Sequence, residues 1–213
     1  MLDRKKFYDA VRPMFGGHLT ASQVAGMDMD FDVWEKSYQV RTPFTQLGYC
    51  MATEFHETNR TMQPVKEIGG VSYFTRLYDV KGANPARARS MGNTRPGDGA
   101  RFCGRGKVQL TWKNNYFKAT VRLLAMGVLK PGESLVDTPA LAQRPDIATV
   151  IMFEGMESGW FTGVDLDDTI DAMIDGDEHA DAVKARRIIN GKDRAELIAG
   201  YSDQILHGLQ IAA

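Results

Sequence analysis

The 213-residue chain lacks the features that mark an exported or membrane-spanning protein. Its first residues are charged, and no apolar stretch of the kind found in a secretory signal follows them. No apolar run approaches the roughly 18 residues that a membrane span requires. We therefore expect no signal peptide, no stable association with a membrane, and a protein that stays in the cytoplasm of the producing cell until something else releases it.

Cysteine is scarce, with only Cys50 and Cys103 in the whole chain. A chain of this length can build a core without a disulfide, so two free thiols are expected. Cys50 falls inside a strongly helical apolar stretch, which does not suit a catalytic nucleophile.

Motifs for metals and nucleotides are also missing. His56-Glu57 begins like the helix of a zinc protease, but Arg60 stands where the second histidine should be. The glycine-rich region has neither the third glycine of a dinucleotide-binding fingerprint nor a Gly-Lys-Ser/Thr phosphate loop. No register of the acidic run Asp165–Asp181 combines the glycine and the terminal glutamate of a calcium loop. The sequence thus predicts no metal ion and no cofactor.

Charge is nearly balanced overall, at −1, but it is unevenly distributed along the chain. Residues 76–130 contain 12 basic and 2 acidic side chains, whereas residues 131–213 contain 6 and 16. Two interpretations remain open. The two regions neutralise each other, or residues 76–130 face an anionic polymer.

The spacing of apolar residues predicts a mainly α fold with few short strands. Helices are expected over 3–15, where Gly16-Gly17 ends the first, and from Phe44 to about Thr58, where Thr42-Pro43 starts the second. Three more are expected over 108–125, 147–160 and 195–209, the last with Asp193 as its cap. Residues 79–106 are expected to form a long irregular loop, which is usually functional.

The chain length favours one domain. We expect a single catalytic domain over residues 1–213, with residues 1–40 forming a helical segment packed on it.

Three segments combine residues that suit glycosidic bond cleavage: 52–59, 62–67 and 104–116. That reaction needs one carboxyl group to donate a proton and a second to act as base or nucleophile. Glu57 lies near a helix C-terminus, where the dipole disfavours the charged carboxylate, so it suits the acid. Glu67, in a loop that solvent can reach, suits the base. Glu54 shares a helix face with Glu57 and is either a rival base or the partner of an arginine.

These segments resemble glycoside hydrolase family 19, which includes plant chitinases and the endolysins of many bacteriophages. The matching residues are His56-Glu57-Thr58, the segment 62–67, and Gly104-Arg-Gly-Lys-Val-Gln-Leu-Thr-Trp-Lys-Asn-Asn-Tyr116. Further similarity appears at 92–99 and at Ile188-Ile189-Asn190-Gly191, so the resemblance covers roughly residues 44–195. The opening residues 15–26 resemble phage-type members.

The resemblance implies a lysozyme-like, two-lobed helical domain with a substrate cleft. It makes Glu57 the general acid, Glu67 the general base and Thr111 the residue that holds the attacking water. The implied mechanism is inverting, with the two carboxyls about 6.5–9.5 Å apart. The substrate-binding residues are expected to be His56, Gln109, Asn115, Tyr116 and Asn190.

The sequence therefore predicts an endolysin-type hydrolase that cuts β-1,4 bonds in the glycan strand of peptidoglycan, acts as a monomer and binds no nucleic acid. A true chitinase is the nearest alternative. Two alternatives come from another class: a nucleic-acid-binding module that uses residues 76–130, and a cell-wall-binding protein without catalysis.

Overall fold

The computed structural model describes residues 2–213. Over that range the chain forms ten α-helices and one two-stranded antiparallel sheet, which confirms the mainly α fold class. The helices are α1 Arg4–Val11, α2 Ala21–Ser37, α3 Phe44–Glu57, α4 Val71–Tyr78, α5 Pro85–Ser90, α6 Asp98–Arg101, α7 Lys113–Ala125, α8 Pro145–Glu157, α9 Glu178–Ala185 and α10 Ala195–Ala212. The strands are β1 Val65–Lys66 and β2 Arg105–Gly106.

The chain divides into two compact units. The first contains the chain up to Gln63 together with Met152–Ala213, and the second contains Pro64–Ile151. Of the expected N-terminal segment 1–40, α1 and α2 belong to the first unit. Among residues 2–213, no helix has both the length and the apolar character needed to cross a membrane.

The first unit is organised around α10, which packs against α3, α1 and α9. Helix α3 is buried from Thr45 to Phe55, and this buried stretch includes polar side chains such as Gln46 and Glu54 as well as apolar ones. The close approach of α1 to α10 depends on Gly208, because a Cβ there would lie 3.0 Å from Val11 and 3.2 Å from Phe7. The expected helix over 3–15 is present as α1 followed by a 3-10 turn over Arg12–Phe15, and it ends at Gly16 as the sequence indicates.

Helix α2 anchors the turn that follows α3. Its N-cap Thr20 forms a capping box with Gln23, and the Gln23 side chain also donates to the carbonyl of Arg60 at 2.9 Å. Gly26 is required by this contact, since a Cβ there would lie 1.8 Å from the carbonyl oxygen of Met62. The turn between Glu57 and the second unit is therefore held in place by α2.

Two helix starts differ from the sequence-based predictions. Pro43, not Thr42, is the N-cap of α3, because the buried Thr42 hydroxyl donates to Glu157. Asp193 does not cap α10. The N-cap is Arg194 in a left-handed conformation (φ 59°), and the Asp193 carbonyl accepts a hydrogen bond from Arg186.

The remaining differences concern helix extents. The helix expected from 108 begins only at Lys113, and the expected loop 79–106 contains the short helices α5 and α6. The helices α4 and α9 were not predicted, and α2 was not distinguished within the helical segment expected over residues 1–40.

Candidate functional site

Glu57 is the last residue of α3, and its carboxylate forms an ion pair with a buried arginine. Arg186 Nη1 donates to Glu57 Oε1 at 2.9 Å, with the arginine side chain 1% exposed and the glutamate side chain 17% exposed. Glu57 therefore has a buried cationic partner that its position at a helix C-terminus does not reveal.

Arg186 is the main functional candidate that the sequence reasoning missed. It lies 129 residues after Glu57, in the 3-10 turn Arg186–Ile188 that follows α9. Its Nε donates to the carbonyl of Asp193 at 2.8 Å, and its own carbonyl accepts the Asn190 N–H at 3.0 Å. One arginine thus positions Glu57 and shapes the loop that carries Asn190, whose side chain is exposed as a sugar-binding role requires.

His56 is half-buried beside this ion pair. Burial lowers the pKa of His56 below its ordinary value; the charge of Glu57 opposes the shift and that of Arg186 reinforces it. The imidazole is therefore neutral at pH 7, and it can both donate and accept one hydrogen bond.

Glu67 follows β1 and is fixed through both carboxylate oxygens. Tyr78 donates its hydroxyl to Oε1 at 2.9 Å, and the backbone N–H of Gly104 donates to Oε2 at 3.1 Å. The Glu67 N–H donates in turn to the Gly104 carbonyl at 2.9 Å, which extends the β1–β2 pairing. Burial, followed by the charge of Glu67, raises the pKa of Tyr78, so the phenol stays protonated and remains a donor.

The segments 62–67 and 104–116 meet at Gly104. A Cβ on Gly104 would lie 2.5 Å from Gln109 Oε1 and 3.2 Å from Glu67 Oε2, so a larger residue there would displace the ends of these two side chains. The amide nitrogen of Gln109 is buried, and no residue within 2–213 accepts a hydrogen bond from it. Buried polar groups usually have a hydrogen-bond partner, so this donor is an exception within the described residues.

Thr111 lies in a strained turn directly before α7. Its neighbours Gln109 and Trp112 have φ values of 55° and 76°, a conformation that costs about 1–3 kcal/mol for residues other than glycine and that concentrates at functional sites. The Thr111 hydroxyl donates to the Gln109 carbonyl at 2.8 Å. Its proton is thereby committed, so the oxygen is left to accept a hydrogen bond from a water molecule. The Asn115 amide donates to the Thr111 carbonyl at 2.9 Å.

Tyr116 has a different place from the one expected. It is 0% exposed, its hydroxyl donates to the Cys103 carbonyl at 2.8 Å, and Arg105 Nη1 donates to that hydroxyl at 2.9 Å. In this structure the phenol therefore presents no surface to a sugar. It holds the backbone carbonyl of Cys103 and the side chain of Arg105, the two residues that flank Gly104, and so acts on the position of Glu67 indirectly.

The glycine-rich segment is organised by Asp79, a second residue that the sequence reasoning missed. Its Oδ2 accepts the N–H groups of Gly97 and Gly99 at 2.8 and 3.1 Å, and its Oδ1 accepts that of Lys81 at 3.0 Å. Burial alone would raise the pKa of Asp79, but these three donors outweigh burial and lower it. Asn93 continues the arrangement by linking the Tyr78 carbonyl to the Lys113 N–H.

Three other candidates are buried or inert. Glu54 is 0% exposed, so a direct contact with a polymeric substrate would require the helix to move. Cys50 and Cys103 are both buried and free, as expected. Burial raises the pKa of each thiol, which keeps them protonated and unreactive.

The basic region 76–130 is less available than its composition indicates. Arg105 and Lys107 are 8% and 1% exposed, and the guanidinium of Arg101 donates to the carbonyls of Val136 and Asp137. Part of the local positive charge therefore stabilises the fold. Residues 2–213 contain no group of three or more His, Cys, Asp or Glu side chains placed to hold a metal ion.

The chain matches no protein-family model, and a comparison with curated proteins finds no similar sequence.

Proposed function

We propose that the protein is an inverting glycoside hydrolase that cuts β-1,4 bonds in the glycan strand of bacterial peptidoglycan. The observation that supports the proposal is the cluster around Gly104, where the side chains of Glu67 and Gln109 both pack against the glycine. The segments 62–67 and 104–116 are adjacent there, and the buried amide nitrogen of Gln109 has no hydrogen-bond acceptor within residues 2–213.

In this proposal Glu67 is the general base and Thr111 positions the attacking water. Because the Thr111 proton is committed to the Gln109 carbonyl, the water would donate one hydrogen to Thr111 and the other to Glu67. The lone pair of the water oxygen is then left to attack the anomeric carbon. The donors Tyr78 and Gly104 fix the Glu67 carboxylate in one orientation, which favours a precise proton transfer.

Glu57 is the general acid of the proposal. Arg186 holds Oε1, so the proton would pass from the other carboxyl oxygen to the leaving group. The reaction needs Glu57 to carry that proton when substrate is bound. Gln109, Asn115, Asn190 and His56 would contact the sugars, whereas Tyr116 supports Gly104.

The proposal is tested by adding the purified protein to chloroform-permeabilised Gram-negative cells and following the loss of turbidity. Chitin and DNA serve as parallel substrates, Glu57→Gln as the inactive variant and Lys36→Gln, a change at an exposed side chain of α2, as the matched control. The expected result is lysis by wild type and Lys36→Gln only. Cleavage of chitin alone would favour a chitinase. Binding of DNA without cleavage of any glycan would favour a nucleic-acid-binding module.

A further inference from the structure

A pocket of about 720 Å³ lies in the first unit, where the end of α9 and the loop after it meet the start of α10. Four of its lining side chains are basic: Lys184, Arg187, Lys192 and Arg194. We call this space the cationic pocket. Its single acidic lining residue is Glu196.

Two of these charges are already paired. Lys184 Nζ lies 2.8 Å from Asp181 Oδ1, one turn earlier on α9. Glu196 Oε2 lies 3.2 Å from His179 Nε2, but the other ring nitrogen of His179 lies 2.6 Å from Asp203, so Glu196 shares its partner with a second carboxylate. Lys184 is therefore not a strong source of uncompensated positive charge, and Glu196 offsets at most one of the remaining cations.

The other three basic side chains have no such compensation. Within residues 2–213, Arg187, Lys192 and Arg194 form no ion pair, although Arg187 Nε donates to the Lys184 carbonyl. All three side chains are exposed. Three uncompensated cations around one concavity create a positive potential that attracts a ligand with more than one negative charge.

The size of the pocket suits a small group and not a protein surface, because small-molecule sites occupy about 300–1,000 Å³. Guanidinium and ammonium groups at its rim suit carboxylate or phosphate oxygens. The first residues of the 18-residue helix α10 also line the pocket, and the helix dipole favours an anion there.

The pocket is connected to the proposed acid through Arg186. That arginine donates to Glu57 and to the Asp193 carbonyl, and its own carbonyl holds the Asn190 N–H. Asp193 lies between Lys192 and Arg194. The loop that presents two of the three uncompensated cations is thus tied to the residue that holds the proposed acid.

We propose that the cationic pocket binds carboxylate groups carried by the glycan, and so selects an acidic, peptide-substituted amino-sugar polymer over neutral chitin. This inference rests on the proposed function and names the feature of the substrate that the protein recognises. The experiment is calorimetric titration at low salt, with a soluble disaccharide–tetrapeptide muropeptide and the same compound with its carboxyl groups amidated.

Three proteins are compared: wild type, the double variant Lys192→Gln/Arg194→Gln, and the control Lys36→Gln. The control removes one exposed cation from α2, far along the chain from the pocket. We expect the double variant to bind the muropeptide about 3- to 10-fold more weakly and the control to bind it unchanged, since each exposed charge contact contributes modestly. Amidation should weaken binding to wild type by a similar factor and leave the double variant nearly unaffected.

Equal affinity of wild type for the two ligands overturns the proposal. So does a double variant whose affinity for the muropeptide changes no more than that of the control. Thermal melting of each variant shows that the compared proteins are folded. Failure of the proposed function is distinguished by a separate measurement of the reducing ends released from cell wall. If the proposed function is wrong, wild type releases none, whatever the result of the titrations.

Discussion

The ion pair between Glu57 and Arg186 is expected to contribute both to stability and to activity. In Glu57→Gln the amide oxygen can still accept from Arg186 Nη1, but the buried guanidinium loses its counter-charge. In Arg186→Met both the ion pair and the hydrogen bond to the Asp193 carbonyl are lost. The two changes therefore remove overlapping sets of interactions, and a double-mutant cycle isolates the shared one.

The expected loss in the free energy of unfolding follows from the burial of the two side chains. Removing one partner of a fully buried pair costs about 3–5 kcal/mol, whereas exposed pairs contribute about 0–1 kcal/mol. Arg186 is 1% exposed but Glu57 is 17% exposed, so partial hydration reduces the effect. We expect Glu57→Gln to cost about 1–3 kcal/mol, Arg186→Met about 2–4 kcal/mol, and the coupling between them to be about 1–2 kcal/mol.

The assay is urea unfolding of the four proteins at pH 7, with cell-wall hydrolysis measured on the same preparations. Glu57→Gln should lose at least about 10²-fold in activity, since an amide cannot donate the proton. A coupling below about 0.5 kcal/mol would show that the ion pair does not act as described. A Glu57→Gln protein that keeps more than a tenth of wild-type activity would remove Glu57 from the acid role.

Substitutions in the second unit and in the buried helix α3 test three further roles. Glu67→Gln should be nearly as inactive as Glu57→Gln. Glu54→Gln should instead destabilise the protein, with a larger effect on the unfolding midpoint than on the turnover number. A stable but inactive Glu54→Gln protein would assign the role of base to Glu54. Thr111→Val should lower kcat about 10- to 100-fold, on the order of 1.4–2.7 kcal/mol, with little change in KM, while Thr111→Ser keeps most of the activity; an unchanged kcat in folded Thr111→Val would refute the water-holding role. Asp79→Asn should cost about 2–4 kcal/mol, because three N–H donors lose a charged acceptor. Because the pKa of Asp79 is lower in the folded protein, its carboxylate contributes fully to the free energy of unfolding above the unfolded pKa near 3.8, and this contribution is lost as pH falls through the folded pKa. The difference in the free energy of unfolding between wild type and Asp79→Asn should therefore shrink in acid. A difference that does not change with pH would contradict this prediction.

The fold class and several helices could be predicted because their apolar spacing is regular. The prediction for α3 was correct from Phe44 to within a residue of its end, and Gly16 correctly marked the end of the first helical segment. Helix α2 was not distinguished because acidic residues interrupt its apolar positions, although Thr20 and Gln23 form a capping box that could have identified it. Helix α4 was missed because its aromatic and β-branched residues are equally typical of strands.

The candidate site was only partly predictable for a different reason. Glu67 belongs to the segment 62–67, and Gly104 and Gln109 belong to the segment 104–116, each of which is recognisable as a motif in the sequence. Arg186 is separated from Glu57 by most of the chain, and no periodicity or local motif relates the two. The prediction of Asp193 as a cap was wrong for a local reason, because Arg194 takes the N-cap position and the Asp193 carbonyl accepts a hydrogen bond from Arg186. Tyr116 was expected at the substrate because a sequence motif does not reveal which of its side chains are buried.

The central claim is most directly tested by the stereochemistry of the product. Soluble β-1,4-linked muropeptide oligomers are mixed with the enzyme, and the anomeric protons of the first-formed reducing ends are followed by NMR before mutarotation. An inverting enzyme that uses Glu67 to activate water must release the α-anomer first, and both Glu57→Gln and Glu67→Gln must abolish its appearance. Initial release of the β-anomer would contradict the account, and so would α-anomer formation by either variant at the wild-type rate.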